Sequence, residues 1–331
     1  MDPSVRHDWS VEEVSALYQQ PILELVYQAA SVHRTWHQGS EVQVCSLISV
    51  KTGNCPEDCA YCPQAARYQT EIDKHGLLPV DQVLAFAKNA KANGATRVCM
   101  GAAWRKVRNN QEFEQVLDMV KAVKETGIEV CATLGMMELD QAQKLKSAGL
   151  HAYNHNLDTS EDHYGEVIST RTYQDRLKTL ANVREAGLTV CCGGIIGLGE
   201  GETDRIALLH TLATMDPHPE SVPVNALVPV PGTPLAQQER VQIWEMLRMI
   251  ATARILMPRA MVRLSAGRLE MSEIEQAMCF LAGANSLFAG DKLLTTPNPA
   301  KDADAQLFDL LQLKKRSPYQ TVPHELQHQA H

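Results

Sequence analysis

Aromatic side chains make up only 5% of this chain, too few for the stacked-ring platform that grips single-stranded nucleic acid. Basic residues are also in the minority. Lys and Arg number 31 against 39 Asp and Glu, for a net charge of −8, which excludes the broad positive footprint of a nucleic-acid binder. No apolar run approaches the roughly 18 residues that a membrane-spanning helix needs. The N-terminal MDPSVRHDWSVEEV lacks both the apolar segment of a secretory signal and the Arg and Ser richness of a transit peptide. What is left is the composition of a folded protein, 44% hydrophobic and 21% charged. At 331 residues the chain can build one large core or two ordinary ones. We expect a cytoplasmic protein with no nucleic-acid or membrane partner.

Nine cysteines are present. An odd number without a secretory signal does not describe a disulfide framework. In a reducing compartment, clustered cysteines read as metal ligands or catalytic thiols, and scattered ones as small core residues.

Residues 1–40 read as a helical extension, opened by a capping-box pattern at Ser10 and Glu13. Short β-branched runs then alternate with amphipathic helical segments. The runs are 42–50, 97–102, 129–135, 151–158, 189–197, 222–230, 262–267 and 285–290. Gly94, Gly127, Gly149, Gly187 and Gly283 end the helices before their next run. Eight strands over about 250 residues predict an α/β protein, a (β/α)8 TIM-type barrel spanning 41–313. A doubly wound sheet is the alternative, and it carries a nucleotide fingerprint that is missing here. From 314 to 331 the sequence is polar, without period, and reads as a disordered tail.

The sharpest signal is GNCPEDCAYCPQ, in which Cys55, Cys59 and Cys62 follow the pattern C-x3-C-x2-C directly after the first run. A loop at that point lies on the C-terminal face, where barrels keep their chemistry. Thiolates suit zinc or iron–sulfur. A structural zinc site wants a fourth ligand close by, and the nearest candidate, His75, has an unsuitable spacing. A [4Fe–4S] cluster on three thiolates leaves one iron open. A non-catalytic iron–sulfur or zinc protein is the rival; it calls for a fourth ligand and has no need of an eight-stranded barrel.

With Tyr61 before its last Cys, this motif resembles the radical S-adenosylmethionine (SAM) superfamily. The resemblance implies that SAM chelates the open iron and is cleaved by an electron from the cluster to methionine and a 5′-deoxyadenosyl radical. Such a radical attacks unactivated C–H bonds, which offer no handle to acid–base catalysis. Tyr61 is then expected near the adenine.

Cys99, Cys131 and Cys191 share a context: each follows a Val in its run, four or five residues after a helix-ending Gly. Equal depth in the second, third and fifth strands lets three thiols converge inside a barrel. Arg263 follows Val262 in the seventh run, and a charge in mid-strand needs a partner, which a thiolate-held metal would supply. Small cysteines filling barrel layers are the plainer explanation. Cys45 also follows a Val, so phase does not exclude it. Cys192 takes the opposite face from Cys191, and Cys279 reads as core.

Together with RVCMGAAW, YNHNLDTS, GGIIGLGE, SVPVNALV, VRLSAGR and KLLTTPNP, these residues resemble the branch of the superfamily that inserts sulfur into dethiobiotin. That resemblance implies a [2Fe–2S] cluster on Cys99, Cys131, Cys191 and Arg263, which acts as the sulfur donor. It puts Ile195 near the SAM adenine, the Ala102 backbone at the SAM amino group, and Asn156 and Asp158 between SAM and substrate. Asn154 and Asn225 become amide contacts to the ureido ring, and Arg176 a further polar contact to SAM. The partners implied are a flavodoxin or ferredoxin electron donor and a second copy in a homodimer. Taken alone, YNHNLDTS is equally a polar strand end, GGIIGLGE a tight β–α turn, and Arg176 a residue on a solvated helix face.

Overall fold

The structure, a computed structural model, describes residues 5–299 and 301–318. Its strands are β1 (Glu41–Lys51), β2 (Arg97–Ala102), β3 (Glu129–Thr133), β4 (Ala152–Asn154), β5 (Thr189–Cys191), β6 (Gly194–Ile196), β7 (Ser221–Ala226), β8 (Met261–Leu264), β9 (Ser286–Phe288) and β10 (Lys314–Lys315). All pair in parallel, and β1 pairs with both β2 and β9, which closes the sheet. Since β5 and β6 share one stave, the barrel has the eight staves expected of the TIM type.

The helices are α1 (Val11–Tyr18), α2 (Ile22–Trp36), α3 (Val80–Ala92), α4 (Gln111–Glu125), α5 (Leu139–Ala148), α6 (Glu161–Val167), α7 (Tyr173–Glu185), α8 (Glu202–Ala213), α9 (Ile243–Leu256), α10 (Glu273–Leu281) and α11 (Lys301–Leu311). In α4, Asn110 caps the Phe113 amide at 3.0 Å, and Phe113, Val116, Leu117, Val120 and Val123 bury one face at helical spacing. The Ser10–Glu13 capping box forms as the sequence predicts, and α1 and α2 lie against α8 and α9. No helix among the described residues is long and apolar enough to cross a membrane.

Two predicted strands are shorter than expected. The fourth ends at Asn154 rather than Asp158, and the fifth breaks at Cys192–Gly193. The two breaks are one irregularity: the His155 and Leu157 amides keep the pairing with the Cys191 and Gly193 carbonyls, at 3.0 Å each, and the partner offset then slips by one residue, from Asn154 opposite Cys191 to Asp158 opposite Gly194. Gly193 is obligatory at this crossing, because a Cβ there would lie 2.0 Å from the Pro223 carbonyl oxygen. Of the predicted tail, Lys314 and Lys315 pair with Glu41 and Val42, while residues 319–331 lie outside the described residues.

The floor of the barrel carries charge. Arg97 and Glu129, on neighbouring strands two residues before Cys99 and Cys131, are almost wholly buried. Arg97 Nε and Nη2 each lie 2.8 Å from Glu129 Oε2, and Gln43 Nε2 donates to the same oxygen at 3.4 Å. Removing one partner strands a charge in low dielectric, at a cost of about 3–5 kcal/mol. Glu129→Leu is expected to lower the unfolding free energy of the metal-free protein by that amount. Arg97→Met/Glu129→Leu should recover most of the loss. Equal losses for the single and the double variant in urea titrations would disprove this.

Candidate active site

The loop after β1 holds Cys55, Cys59 and Cys62 at the barrel's C-terminal mouth. Its turns are fixed by Cys62 N donating to Cys59 O at 2.9 Å and by Cys55 N donating to Gln64 O at 2.9 Å. Between the cysteines, Glu57 and Asp58 dock the loop onto the segment after α6. Asp58 accepts the Ser169 and Thr170 amides at 3.0 and 3.1 Å and both of their hydroxyls. Burial raises the Asp58 pKa, but these donors outweigh it and hold the group at about 2. Glu57 faces Arg105 at 3.4 Å and Arg171 at 4.0 Å.

Burial pushes the Cys59 thiol up to about 11 and Cys62 to about 12, while Arg171, 3.8 Å from Cys59 Sγ, pulls Cys59 back. Buried thiols beside a cation are soft donors that ionise when a metal binds. His75 is engaged elsewhere, 2.9 Å from Thr52 Oγ1. Among the described residues no three His, Cys, Asp or Glu form a ready-made site for a single ion. A polynuclear cluster spreads its irons and asks for sulfurs further apart.

Beside the loop lies a buried polar network. Tyr61 donates to Asp158 Oδ2 at 2.8 Å, and Arg176 binds the same oxygen and the Asn156 carbonyl. Arg176 Nε also donates to Tyr164 at 2.8 Å. Arg176 is 3% exposed, which overturns the reading of a solvated helix face. Asp158 adopts the left-handed conformation, φ 70°, beyond the end of β4. Asn154, Asn156 and Asp158 thus do not continue one strand face, although all three border the same cavity. The glycine run of GGIIGLGE serves the backbone: a Cβ on Gly194 would approach the Asp158 carbonyl oxygen to 2.8 Å.

Deeper inside, Cys99 and Cys131 stand opposite each other in register. Arg263, 1% exposed, directs Nη1 at Cys191 Sγ, 3.5 Å away, and donates through Nε to Ser286 Oγ at 3.0 Å. Asn154 Nδ2 lies 3.2 Å from Cys191 Sγ and 3.0 Å from Asn156 Oδ1. Asn225 bridges Gly194 O and Ala266 N. Cys192 and Cys279 are buried in the main hydrophobic core, as expected.

One cavity of about 320 Å³ unites the two levels. Cys55, Cys59, Cys62, Tyr61, Ala102, Asn154, Asn156, Asp158, Arg176, Ile195, Asn225, Cys99 and Arg263 border it; Cys131 and Cys191 are fully buried beneath it. A larger cavity, about 610 Å³, lies outside the barrel wall between β1, α3 and α11 and touches none of these residues. Sequence reasoning missed Glu57, Asp58, Arg171, Ser169 and Thr170. The one signal for them was an acidic pair inside a metal-binding loop, which needs partners that spacing alone cannot name.

Residues 49–212 match the radical SAM superfamily model, and residues 223–314 match the biotin and thiamin synthesis associated domain. Biotin synthase of Cytophaga hutchinsonii is 64% identical over 315 residues, spanning 95% of this chain and 94% of its own. The mitochondrial biotin synthase of Arabidopsis thaliana is 58% identical over 95% of this chain and 83% of its own. Among solved structures, methylornithine synthase superposes with a TM-score of 0.79 at 18% identity, covering 96% of each chain; that likeness speaks for the fold.

Two predictions follow from the geometry of this site. The Asp58 carboxylate has a folded pKa below its unfolded value, so its stabilisation is present above about pH 4 and is lost as pH falls toward about 2. Asp58→Asn is expected to flatten the acid limb of stability, read as urea midpoints between pH 5 and pH 2; an unchanged slope would count against it. Arg176→Met leaves Asp158 buried without its cation and should cost about 3–5 kcal/mol. Tyr61→Phe removes one hydrogen bond to a charged group and should cost about 1.5–3 kcal/mol. The reverse order of the two losses would refute the pairing.

Proposed function

The chain belongs to the biotin synthase family, radical SAM sulfurtransferases that convert dethiobiotin to biotin, and from that premise we propose which of its residues carry the reaction. The observation that carries the assignment is Asn154. Its amide touches both Cys191 Sγ and Asn156, so a substrate held there lies between the buried sulfurs and the SAM side of one cavity.

In this reading Cys55, Cys59 and Cys62 hold the [4Fe–4S] cluster, and Arg171 offsets the thiolate charge. When bound, that cluster supplies the electron that cleaves SAM to the hydrogen-abstracting 5′-deoxyadenosyl radical, and a [2Fe–2S] cluster supplies the sulfur. Tyr61, Ala102, Asn156, Asp158, Arg176 and Ile195 form the SAM cradle, with Tyr61 and Arg176 fixing the Asp158 carboxylate toward the ribose hydroxyls. Asn154 and Asn225 orient the ureido ring. Cys99, Cys131, Cys191 and Arg263 would hold the second cluster: Cys99 stands opposite Cys131 in register, and Arg263 Nη1 lies 3.5 Å from Cys191 Sγ. Leu227, Val228, Leu293 and Leu294 line the cavity with apolar surface, which keeps water from a reactive radical.

Residues 1–40 are read as an extension of a barrel spanning 41–313; Lys314 and Lys315, paired with β1, go with the barrel rather than with a 314–331 tail. A flavodoxin or ferredoxin donor, a homodimer and a cytoplasmic setting complete the proposal, all three on the strength of the resemblance.

Anaerobically reconstituted enzyme with reductant, SAM and dethiobiotin is expected to give about two 5′-deoxyadenosines per biotin, one for each C–H bond broken. Cys55→Ala should abolish both products. Intact turnover by that variant would remove the role given to the loop cluster. Deoxyadenosine without biotin from the wild type would move the substrate assignment elsewhere.

A further inference from the structure

Cys45 is the barrel cysteine that this reading leaves without a task. It is fully buried on β1, in one packed cluster with Cys99 and Cys131. Its Sγ lies 3.8 Å from Ser286 Oγ, the same hydroxyl that accepts Arg263 Nε at 3.0 Å. Thiol and guanidinium therefore flank a single point of the wall.

The chamber thus presents four sulfurs and one guanidinium, whereas a [2Fe–2S] cluster takes four ligands, almost always thiolate or imidazole. A guanidinium has five N–H donors and no lone pair, which makes Arg263 the least suited of the five. Other acceptors stand ready for it: Ser286 already holds Nε, and Gln43 Oε1 lies 3.4 Å from Nη2.

We propose that Cys45 is a reserve ligand of the buried cluster, a fourth thiolate that takes the place of Arg263 and lets the chain hold [2Fe–2S] on sulfur alone. The inference rests on the second-cluster reading above. The exchange balances: the iron–nitrogen bond breaks as the iron–sulfur bond forms, and the Cys45 thiol proton passes to the departing guanidine nitrogen. In the Arg263-ligated state Cys45 is a neutral thiol packed beside Ala152 and Phe288.

The test is anaerobic reconstitution of the full chain as wild type, Cys45→Ser, Arg263→Ala and Arg263→Ala/Cys45→Ser. The readouts are iron and acid-labile sulfide per chain, with circular dichroism to confirm folding. Wild type and both single variants are expected to hold about six irons, four in the loop and two in the barrel. The double variant should fall to about four. A double variant that keeps six overturns the proposal, as does Arg263→Ala alone falling to four. Wild type with only four irons defeats the second-cluster reading itself, and this inference with it. Mössbauer spectra of Arg263→Ala decide the matter without the double variant: equivalent barrel irons, each on sulfur alone, are expected, and inequivalent ones overturn it.

Discussion

Buried charge inside a closed parallel barrel is the constraint on which the rest of this molecule depends. Alternate side chains of every stave enter a lumen that water does not reach, so each charge placed there must bring its partner. Arg97 meets Glu129 on the floor, Arg176 meets Asp158 at the mouth, and Arg263 meets Cys191, Ser286, Gln43 and the face of the Phe288 ring. Arg254 marks the contrast. Outside the lumen, it is satisfied by the Gly283, Pro258 and Ala260 carbonyls and the Asn285 side chain, and burial pulls it below its ordinary value. Arg263 is pushed the other way by the sulfurs around it. A cation that answers to cysteines rather than to carboxylates belongs where the thiols become thiolates.

The two ends of the cavity are joined by short polar links as well as by open space. Asn156 gives its carbonyl to Arg176 and its side-chain oxygen to Asn154 and Gly193, and Asn154 reaches Cys191. A continuous chain of hydrogen bonds thereby runs from the Tyr61–Asp158–Arg176 group to the buried sulfur. The cluster loop is anchored with similar economy, since Glu57 and Asp58 sit between its cysteines and grip residues 169–171. The metal-binding spacing and the docking contacts thus occupy the same few residues.

The fold was legible because its signals are local. Helical periodicity, the ending glycines and the β-branched runs each report on their own segment, and all eight staves lie where those signals put them. The errors came where tertiary contacts override the pattern. HAYNHNLD has the alternation of a strand, yet its partner offset slips between Asn154 and Asp158, and Asp158 turns left-handed. For Arg176 the alternative of a solvated helix face falls to its burial, because helix phase reports which side faces the barrel, not what the barrel offers. Strand phase did well for Cys99 and Cys131, whose register it implies, and it left Cys45 open. It could not find Ser286 or Gln43, because neighbours on non-consecutive staves leave no mark in a linear sequence.

This difference bears on how the proposed second cluster would be held. Strand phase alone treats Cys45, Cys99, Cys131, Cys191 and Arg263 alike, since each follows a Val in its run. Geometry separates them: Cys99 faces Cys131, Arg263 faces Cys191, and Cys45 shares Ser286 with Arg263. Four thiols and one guanidinium are one ligand more than a [2Fe–2S] cluster takes, a surplus of no use to a static site. In the reading proposed above the cluster gives up sulfur, and a spare thiolate beside the weaker ligand would let Cys45 hold what remains. The spare ligand and the weak one would then be two aspects of one requirement, that the site bind its cluster firmly and still let part of it leave.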